Sequence, residues 1–243
     1  MGFYDELSKY YKYVFPLSPI TLQFLKSNLK LDGKIVDLAC GSGEYTLGLA
    51  ADGINITGLD LDEDMIKKAK EKASLENLPS NFITGNMLDL KNYFHSGELS
   101  SVFCIGNSLV HLNSRDEITS LLSSINELLS TNGRLVIQII NYHRILEKHI
   151  SYLPTIKNED AKIEFIRNYI HNGDKITFNT ILKTPDNGDF VNNIDLLPLR
   201  PDDLISTLKS ASFNVLATYG NFKGDEFQPL DSMAFILVCE KNS

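Results

Sequence analysis

The run from Ile35 to Gly43 contains residue types that could bind and position a charged ligand. It is apolar enough for a buried strand, apart from Asp37, and Gly41-Ser42-Gly43 predicts a tight turn into a helix over Tyr45–Ala51. Glycines at such a turn let backbone N–H groups approach a ligand without an intervening Cβ. A carboxylate just before the turn would repel a pyrophosphate. Asp37 therefore predicts a ligand that presents a cation or a hydrogen-bond donor.

Two further polar positions follow the next two expected strands. Asp60 lies nineteen residues after Gly41, where an acid can accept hydrogen bonds from both hydroxyls of a ribose. Asn86 can accept from an adenine amino group, with Leu61 and Met87 as apolar contacts for the ring. Taken singly, Asp60 could be a helix-capping acid and Asn86 part of an ordinary loop. Their order along the chain favours a ligand that contains a nucleoside.

The fourth expected strand, Ser100–Ile105, leads into Asn107, Ser108 and His111. In a doubly wound sheet this strand lies beside the first, at the switch point where ligands bind. Asn107 is the candidate acceptor for the proton of a neutral amine, and His111 is the candidate base for a hydroxyl. For His111 alone, a capping or core histidine is the alternative. The other histidines show no metal-ligand spacing, so no metal site is predicted.

Alternating strands and helices must position these residues, and they predict an α/β fold. We expect a doubly wound, seven-stranded Rossmann-like sheet whose last strand is antiparallel. Helices are expected over Tyr4–Tyr13, Ile20–Leu29, Asp62–Glu76 and Pro201–Ser210. A further helix is expected to begin at a Ser114 cap, where Glu117 completes a capping box, and to run to Leu129, with Asn132-Gly133 as its stop. The strands are expected at Ile35–Ala39, Asn55–Leu59, Asn81–Thr84, Ser100–Ile105, Arg134–Ile140, Asn214–Tyr219 and Met233–Glu240.

A different pattern occupies residues 161–197, where three β-rich runs follow one another without a helix. They are Ile163–His171, Lys175–Lys183 and Phe190–Leu197, joined by hairpin turns at Asn172-Gly173-Asp174 and Asp186-Asn187-Gly188. This pattern predicts a small antiparallel β insertion. We expect residues 1–150 and 198–243 to form the ligand-binding domain and residues 151–197 to cover its substrate as a lid, governing acceptor choice more than cofactor binding.

Composition narrows the class of partner. The net charge of −8 and a pI near 5.1 disfavour nucleic acid and anionic membranes, which are bound by clustered Lys and Arg. No apolar run approaches the ~18 residues of a membrane span, and the first residues lack the apolar core of a signal peptide. A cytoplasmic location is expected, with the three cysteines as buried reduced thiols. The sequence leaves a homodimer open.

The run Val36–Gly43, the acid Asp60 and the pair Asn86-Met87 together resemble class I S-adenosylmethionine-dependent methyltransferases. The run from Cys104 to Leu112 is similar to the corresponding run of glycine N-methyltransferase and related small-molecule methyltransferases. The sulfonium and ammonium groups of S-adenosylmethionine would supply the cation that Asp37 predicts. The resemblance implies methyl transfer from this cofactor to an N or O atom of a small-molecule acceptor.

The resemblance also implies roles for individual residues. Gly41 and Gly43 would line the methionine moiety, Asp60 would bind the ribose, and Asn86 with Met87 would hold the adenine. Tyr11, in the first helix, would fold over the cofactor. The remaining expected cofactor contacts are Asp37, Ala39, Leu61, Met65, Ile105 and Gly106.

Departures from the family pattern bear on the acceptor. Glycine N-methyltransferase has an arginine for the glycine carboxylate immediately before its Asn-Tyr pair, but here Ile140 precedes Asn141-Tyr142. Free glycine is therefore not the expected acceptor, unless Arg144, Arg167 or Arg200 supplies the cation. The Asn/Asp-Pro-Pro-aromatic sequence of DNA base methyltransferases is absent from the fourth strand, which further disfavours nucleic acid.

Two alternative functions remain open. A NAD-dependent oxidoreductase is disfavoured by Asp37 and by Thr46, which stands where a dinucleotide fingerprint needs its third glycine. A non-catalytic S-adenosylmethionine-binding protein would have the same cofactor residues without turnover.

Overall fold

The computed structural model describes residues 3–185 and 188–242, which form two β-sheets and the helices around them. The strands are β1 Lys34–Leu38, β2 Ile56–Asp60, β3 Asn81–Thr84, β4 Leu99–Cys104, β5 Leu129–Ile140, β6 Tyr152–Asn158, β7 Ile163–Asn172, β8 Lys175–Thr184, β9 Gly188–Leu196, β10 Phe213–Tyr219 and β11 Ala234–Lys241. The α-helices are α1 Phe3–Val14, α2 Pro19–Asn28, α3 Glu44–Ala50, α4 Glu63–Glu76, α5 Arg115–Leu128, α6 Tyr142–Glu147 and α7 Pro201–Ser210.

The larger sheet has seven strands in the order β10-β11-β5-β4-β1-β2-β3. Strands β1 to β5 run parallel, and the last strand, β11, is antiparallel to its neighbours β5 and β10. This arrangement confirms the predicted fold class. Because β1 lies between β2 and β4, the loops that follow these three strands meet at one edge of the sheet.

Both faces of the larger sheet are covered, as the burial of β1 shows. Val36 and Leu38 enter one apolar cluster and Ile35 enters another, and all three side chains are fully buried. Successive side chains of a strand point to opposite faces, so helices must pack on each side. Asp37 is the polar exception in this buried strand.

The boundary between α5 and β5 differs from the prediction. The helix ends at Leu128 and Leu129 already pairs with Leu99 of β4, so Asn132-Gly133 lies within the span of β5 and does not stop the helix. The Ser114 cap is present, with the Glu117 N–H donating to Ser114 Oγ at 3.1 Å. The Glu117 carboxylate accepts from the N–H of Asn113, at 2.8 Å, in place of the reciprocal capping-box bond.

The insertion is a four-stranded antiparallel sheet in the order β6-β7-β8-β9. Three of its strands match the predicted runs, but the edge strand β6 was not predicted, because Pro154 and a mostly exposed pattern obscure it. The short helix α6 was also not predicted. The turn at Asn172-Gly173-Asp174 joins β7 to β8 as expected, whereas Asp186 and Asn187 of the second predicted turn lie outside the described residues.

Three free cysteines, Cys40, Cys104 and Cys239, are buried, as predicted. In the part of the chain that the structure describes, no helix is long and apolar enough to cross a membrane.

Candidate active site

A cavity of about 850 Å³ lies at the edge of the larger sheet where β1, β2, β3 and β4 end. Its floor is formed by the loops after these strands, one side by α1, and its roof by the insertion. Ligand pockets for small molecules and cofactors typically measure roughly 300–1,000 Å³. The cavity is therefore large enough for a nucleoside cofactor with a small second ligand.

The loop after β1 combines an exposed backbone with a covering tyrosine. Ala39 and Gly41 both have left-handed backbone angles, φ 58° and 55°, and both line the cavity. A Cβ on Gly41 would lie 2.8 Å from Tyr11 Oη, so Tyr11 covers this loop closely, as expected from the sequence. Ala39 was expected inside the strand, but β1 ends at Leu38.

Gly43 packs against residues of β3 and α4. A Cβ at this position would lie 2.9 Å from the Phe82 ring and 3.0 Å from Ala69 Cβ. Gly43 is not one of the described residues that line the cavity. Its lack of a side chain lets the start of α3 pack against β3 and α4, so only Gly41 of the pair faces the cavity.

Asp60 lines the cavity and ties two loops together. The Gly41 N–H donates to Asp60 Oδ2 at 2.7 Å, and the Asp62 N–H donates to Asp60 Oδ1 at 2.9 Å. Burial raises the pKa of the Asp60 carboxyl, while these backbone N–H groups oppose the rise. A carboxylate has about four acceptor positions, so each oxygen can still accept a bond from a ligand hydroxyl.

Asp37 is 3% exposed and also lines the cavity. The Thr46 hydroxyl donates to Asp37 Oδ2 at 2.7 Å, so the residue that departs from the dinucleotide fingerprint supports this carboxyl. Burial, which outweighs the Thr46 bond, and the neighbouring charges of Asp60 and Glu44 raise the pKa of Asp37 to about 8. In the absence of a ligand cation, the Asp37 carboxyl is therefore largely protonated at neutral pH.

This protonation predicts a pH-dependent stability. Between the ordinary pKa of 3.8 and the folded value of about 8, the folded protein holds a proton that the unfolded chain releases. The free energy of unfolding should therefore fall as pH rises through this window, by up to ~1.4 kcal/mol per pH unit. Denaturation of the unliganded protein at about pH 6 and 7 should show this slope, and Asp37→Asn should reduce it by that amount. Identical slopes would show that Asp37 is ionised.

The expected adenine contacts lie together at the rim. Leu61, Asn86 and Met87 line the cavity, and Leu61 is 71% exposed. Asn86 Oδ1 accepts from the Leu88 N–H at 2.9 Å, which leaves one acceptor position on this oxygen. Met65 also lines the cavity and is 4% exposed.

The loop after β4 brings Ile105 and Gly106 to the cavity, as expected. The Gly106 N–H donates to Gln138 Oε1 at 2.7 Å, and Gln138 lines the cavity from β5. Sequence reasoning missed Gln138. The available signal was a polar residue inside an apolar strand, which is the same signal that identified Asp37.

Asn107 does not reach the cavity, in contrast to its expected catalytic role. Its backbone is left-handed, with φ 69°, and its amide is used internally. Asn107 Nδ2 donates to Tyr142 Oη at 2.9 Å, and Asn107 Oδ1 accepts from the Ile140 N–H at 2.9 Å. Asn107 is not among the described residues that line the cavity. This residue therefore joins the end of β4 to β5 and α6.

His111 does line the cavity, next to the β4 loop. Partial removal from water lowers the pKa of its imidazole, so the ring is neutral at pH 7 and can accept a proton. Of the two expected catalytic residues, the structure brings only His111 to the site.

The roof of the cavity is contributed by the insertion. Phe165, Phe178 and Ile194 provide apolar surface, and Thr180 and Asn192 provide polar groups. The insertion also packs against α1, where an apolar cluster joins Leu7, Val14, Ile163, Phe165 and Leu182. The same helix carries Tyr11, so the roof and the cover over Gly41 are structurally connected.

The charge of the cavity is one-sided. Its lining includes the acids Asp37, Glu44, Asp60, Asp62 and Glu117, and no Lys or Arg of the described chain lines it. Glu44 is paired with Lys72, which lies outside this lining, at 2.5 Å. The three arginines considered above as carboxylate ligands are not among the described lining residues. Arg200 pairs with Glu147 at 2.9 Å, and Arg167 Nη2 donates to the Pro154 carbonyl at 2.6 Å. No group of three His, Cys, Asp or Glu within the described residues is placed to hold a metal ion.

Comparison with known proteins supports a methyltransferase. Residues 35–133 match a family model described as a methyltransferase domain. A Geobacillus sp. (strain WCH70) protein, whose name marks it as a candidate methyltransferase, is 31% identical over 148 residues, which are 59% of this chain and 58% of that protein. The chain thus spans little more than half the length of this relative.

Two longer matches agree with this class. A glycine/sarcosine N-methyltransferase from Aphanothece halophytica is 23% identical over 222 residues, covering 90% of this chain and 81% of that enzyme. The crystal structure of an S-adenosylmethionine-dependent methyltransferase from Clostridium acetobutylicum superposes with a TM-score of 0.82 over 99% of both chains. Its sequence identity of 15% shows a shared fold.

Residues 35–133 thus carry a methyltransferase domain, and the chain shares the fold of an S-adenosylmethionine-dependent methyltransferase.

Proposed function

We propose that this protein transfers the methyl group of S-adenosylmethionine to an N or O atom of a small acceptor that is neutral or cationic and has no carboxylate. The observation that carries the proposal is the one-sided charge of the roofed cavity: five acids and no described Lys or Arg line it. An anionic acceptor would be desolvated there without a counter-charge.

The residues at the cavity fit the cofactor. Asp60 offers two oxygens to ribose hydroxyls, and Asp37 lies where a sulfonium or ammonium would be stabilised by a carboxylate. Leu61 and Met87 provide the apolar rim that an adenine needs. A cation near Asp37 would also lower the pKa of its carboxyl and favour the ionised form.

When bound, the cofactor supplies an electrophilic methyl carbon on a sulfonium. The protein must hold the acceptor atom about 3 Å from that carbon in an in-line arrangement, because positioning supplies most of the catalysis in such a displacement. The insertion and α1 cover the cavity on the side opposite the sheet edge. Neutral His111 is the lining group suited to take the proton that an amine or hydroxyl loses. Asn107 supports this loop from behind.

One relative is named for glycine and sarcosine, which both carry a carboxylate. No Lys or Arg among the described residues lines the cavity to bind such a group, so we do not extend this acceptor to the present protein. The cofactor has a methionine carboxylate of its own, and neutral donors such as the hydroxyls of Tyr11 and Tyr45 line the cavity for it. A second carboxylate, on the acceptor, would meet the five acids instead. We therefore favour amines or alcohols without a carboxylate, for example amino sugars.

Acceptor choice provides a direct prediction. With S-adenosylmethionine present, small amines and amino sugars should give S-adenosylhomocysteine, whereas ~10 mM glycine should give at least roughly 100-fold less, because a carboxylate without a bidentate partner loses about 3 kcal/mol. The measurement is the rate of S-adenosylhomocysteine release for each acceptor. Efficient release with glycine that is lost in Arg144→Ala would restore glycine as the acceptor and contradict the proposal.

A further inference from the structure

Gln138 is a polar residue in the apolar part of β5, and it lines the cavity. The residues on each side of it, Ile137 and Ile139, are buried in one apolar cluster, whereas Val136 belongs to the cluster on the other face of the sheet. Successive side chains of a strand point to opposite faces. Gln138 therefore lies on the same face as Val136, where α2 and α3 cover the sheet.

Asp37 of β1 lies on this same face, where the Thr46 hydroxyl of α3 donates to its carboxyl. Only β4 lies between β1 and β5, and strands are about 4.8 Å apart, so the backbones of Asp37 and Gln138 are roughly 10 Å apart across the sheet. Val136 is level with Asp37, which puts Gln138 two residues nearer the carboxyl edge. Two hydrogen bonds of about 2.9 Å, with a small charged group between them, fit this separation.

The Gln138 amide is fixed in orientation by one internal hydrogen bond. Its Oε1 accepts from the Gly106 N–H at 2.7 Å, so the two N–H donors of Nε2 point elsewhere. Nε2 has no hydrogen bond to a described residue, and it is not one of the fully enclosed side-chain atoms of the described chain that lack a partner. Because Gln138 lines the cavity, Nε2 therefore keeps surface that a ligand there can reach.

The strand order indicates which part of the cofactor lies near Gln138. The expected adenine and ribose contacts follow β3 and β2, at one end of the order β5-β4-β1-β2-β3. The amino-acid end of the cofactor would then extend toward β1 and β5. That end carries an ammonium, which Asp37 matches, and a carboxylate, which no Lys or Arg of the described lining matches.

We propose that the Gln138 amide donates a hydrogen bond to the carboxylate in the methionine part of S-adenosylmethionine, in place of a cationic side chain. This inference rests on the proposed function and deepens it by naming a residue that selects the cofactor. Asp37 and Gln138 would recognise the ammonium and the carboxylate of one zwitterion. A cation at position 138 would compete with the ligand ammonium for Asp37, whereas a neutral amide does not.

Decarboxylated S-adenosylmethionine, which lacks only the carboxylate, is the probe for this contact. In calorimetric titrations wild type should bind S-adenosylmethionine at least roughly 10-fold more tightly than the decarboxylated compound, because a hydrogen bond to a charged group is lost. Gln138→Met keeps the length of the side chain and removes the amide. It should weaken S-adenosylmethionine binding by roughly 10- to 100-fold and change affinity for the decarboxylated compound by no more than about threefold.

Two further variants test whether the amide donor itself is responsible. Gln138→Glu keeps an oxygen for the Gly106 N–H and replaces the donors with a second oxygen, so at about pH 8, where the new carboxyl is ionised, it should lose the preference at least as fully as Gln138→Met. Gln23→Met is the matched control, since it removes the same amide from an exposed position of α2 outside the described lining, and it should keep the wild-type preference.

Three results would overturn this inference. They are equal affinity of wild type for the two compounds, an unchanged preference in both Gln138 variants, and an equal loss of affinity for both compounds in Gln138→Met and Gln138→Glu. The last result would show that Gln138 only supports the loop at Gly106. If wild type bound neither compound, the proposed function itself would fail.

Discussion

Replacing Asp60 with alanine is expected to weaken S-adenosylmethionine binding by roughly 30-fold to several hundred-fold, or about 2–4 kcal/mol, because two hydrogen bonds to a charged acceptor are lost. The structure adds a second cause. Asp60 Oδ2 accepts the Gly41 N–H at 2.7 Å, so the variant also releases the loop that lies beneath Tyr11. Calorimetric titration of the cofactor measures the combined effect.

Two further variants separate these causes. Asp60→Asn keeps one acceptor oxygen and should lose less affinity than Asp60→Ala. Asp64→Ala removes the same charge from the exposed first turn of α4, away from the cavity lining that the structure describes, and should bind as wild type does. The melting temperatures of the unliganded variants report any loss of loop structure. Wild-type affinity in Asp60→Ala would contradict the assignment of Asp60 to the ribose.

Filling the roof of the cavity should abolish turnover while the cofactor still binds. Ile194 lines the cavity from β9, so a tryptophan there would occupy the space of the acceptor, and Ile194→Trp should lower kcat/KM by at least ~100-fold. Affinity for S-adenosylmethionine should change only a few-fold, because its expected contacts come from the sheet edge and α1. The measurement pairs steady-state turnover with a cofactor titration.

Val191 offers the matched control for this variant. It lies on the same strand three residues away, on the opposite face, and is 56% exposed. Val191→Trp should therefore keep wild-type turnover. If Ile194→Trp lost cofactor affinity as strongly as turnover, the roof would contact the cofactor, and its assignment to the acceptor would fail.

Much of the fold could be predicted from local patterns. Apolar runs bounded by glycine define the parallel strands, and strand order then requires Asp37, Asp60 and Asn86 to meet at one edge, as observed. The start of β5 was harder to predict, because Leu129 belongs to this strand through its pairing with Leu99 of β4. The local turn residues do not indicate such a pairing. The edge strand β6 contains a proline and few buried residues, so its pattern resembles a loop.

Side-chain direction was the part of the site that the sequence could not determine. Asn107 follows β4 at the expected place, but its left-handed backbone turns the amide toward Tyr142, 35 residues away in sequence. Gly43 has the spacing of a ligand-contacting glycine, but its neighbours are Phe82 and Ala69, and its φ of 81° also favours glycine. These outcomes depend on tertiary neighbours that no local motif specifies. The roof residues Phe178 and Thr180 were likewise identified only through the register of the insertion.

The most direct test of the account is a calorimetric titration of the purified protein with S-adenosylmethionine, S-adenosylhomocysteine and NADH, each in a separate experiment. An acid-lined cavity with Asp37 at its floor should bind the sulfonium cofactor and its product at one site and should exclude the pyrophosphate of NADH. We expect one-to-one binding of both S-adenosyl compounds and no binding of NADH. Stoichiometric NADH binding without binding of S-adenosylmethionine would contradict the account and favour an oxidoreductase.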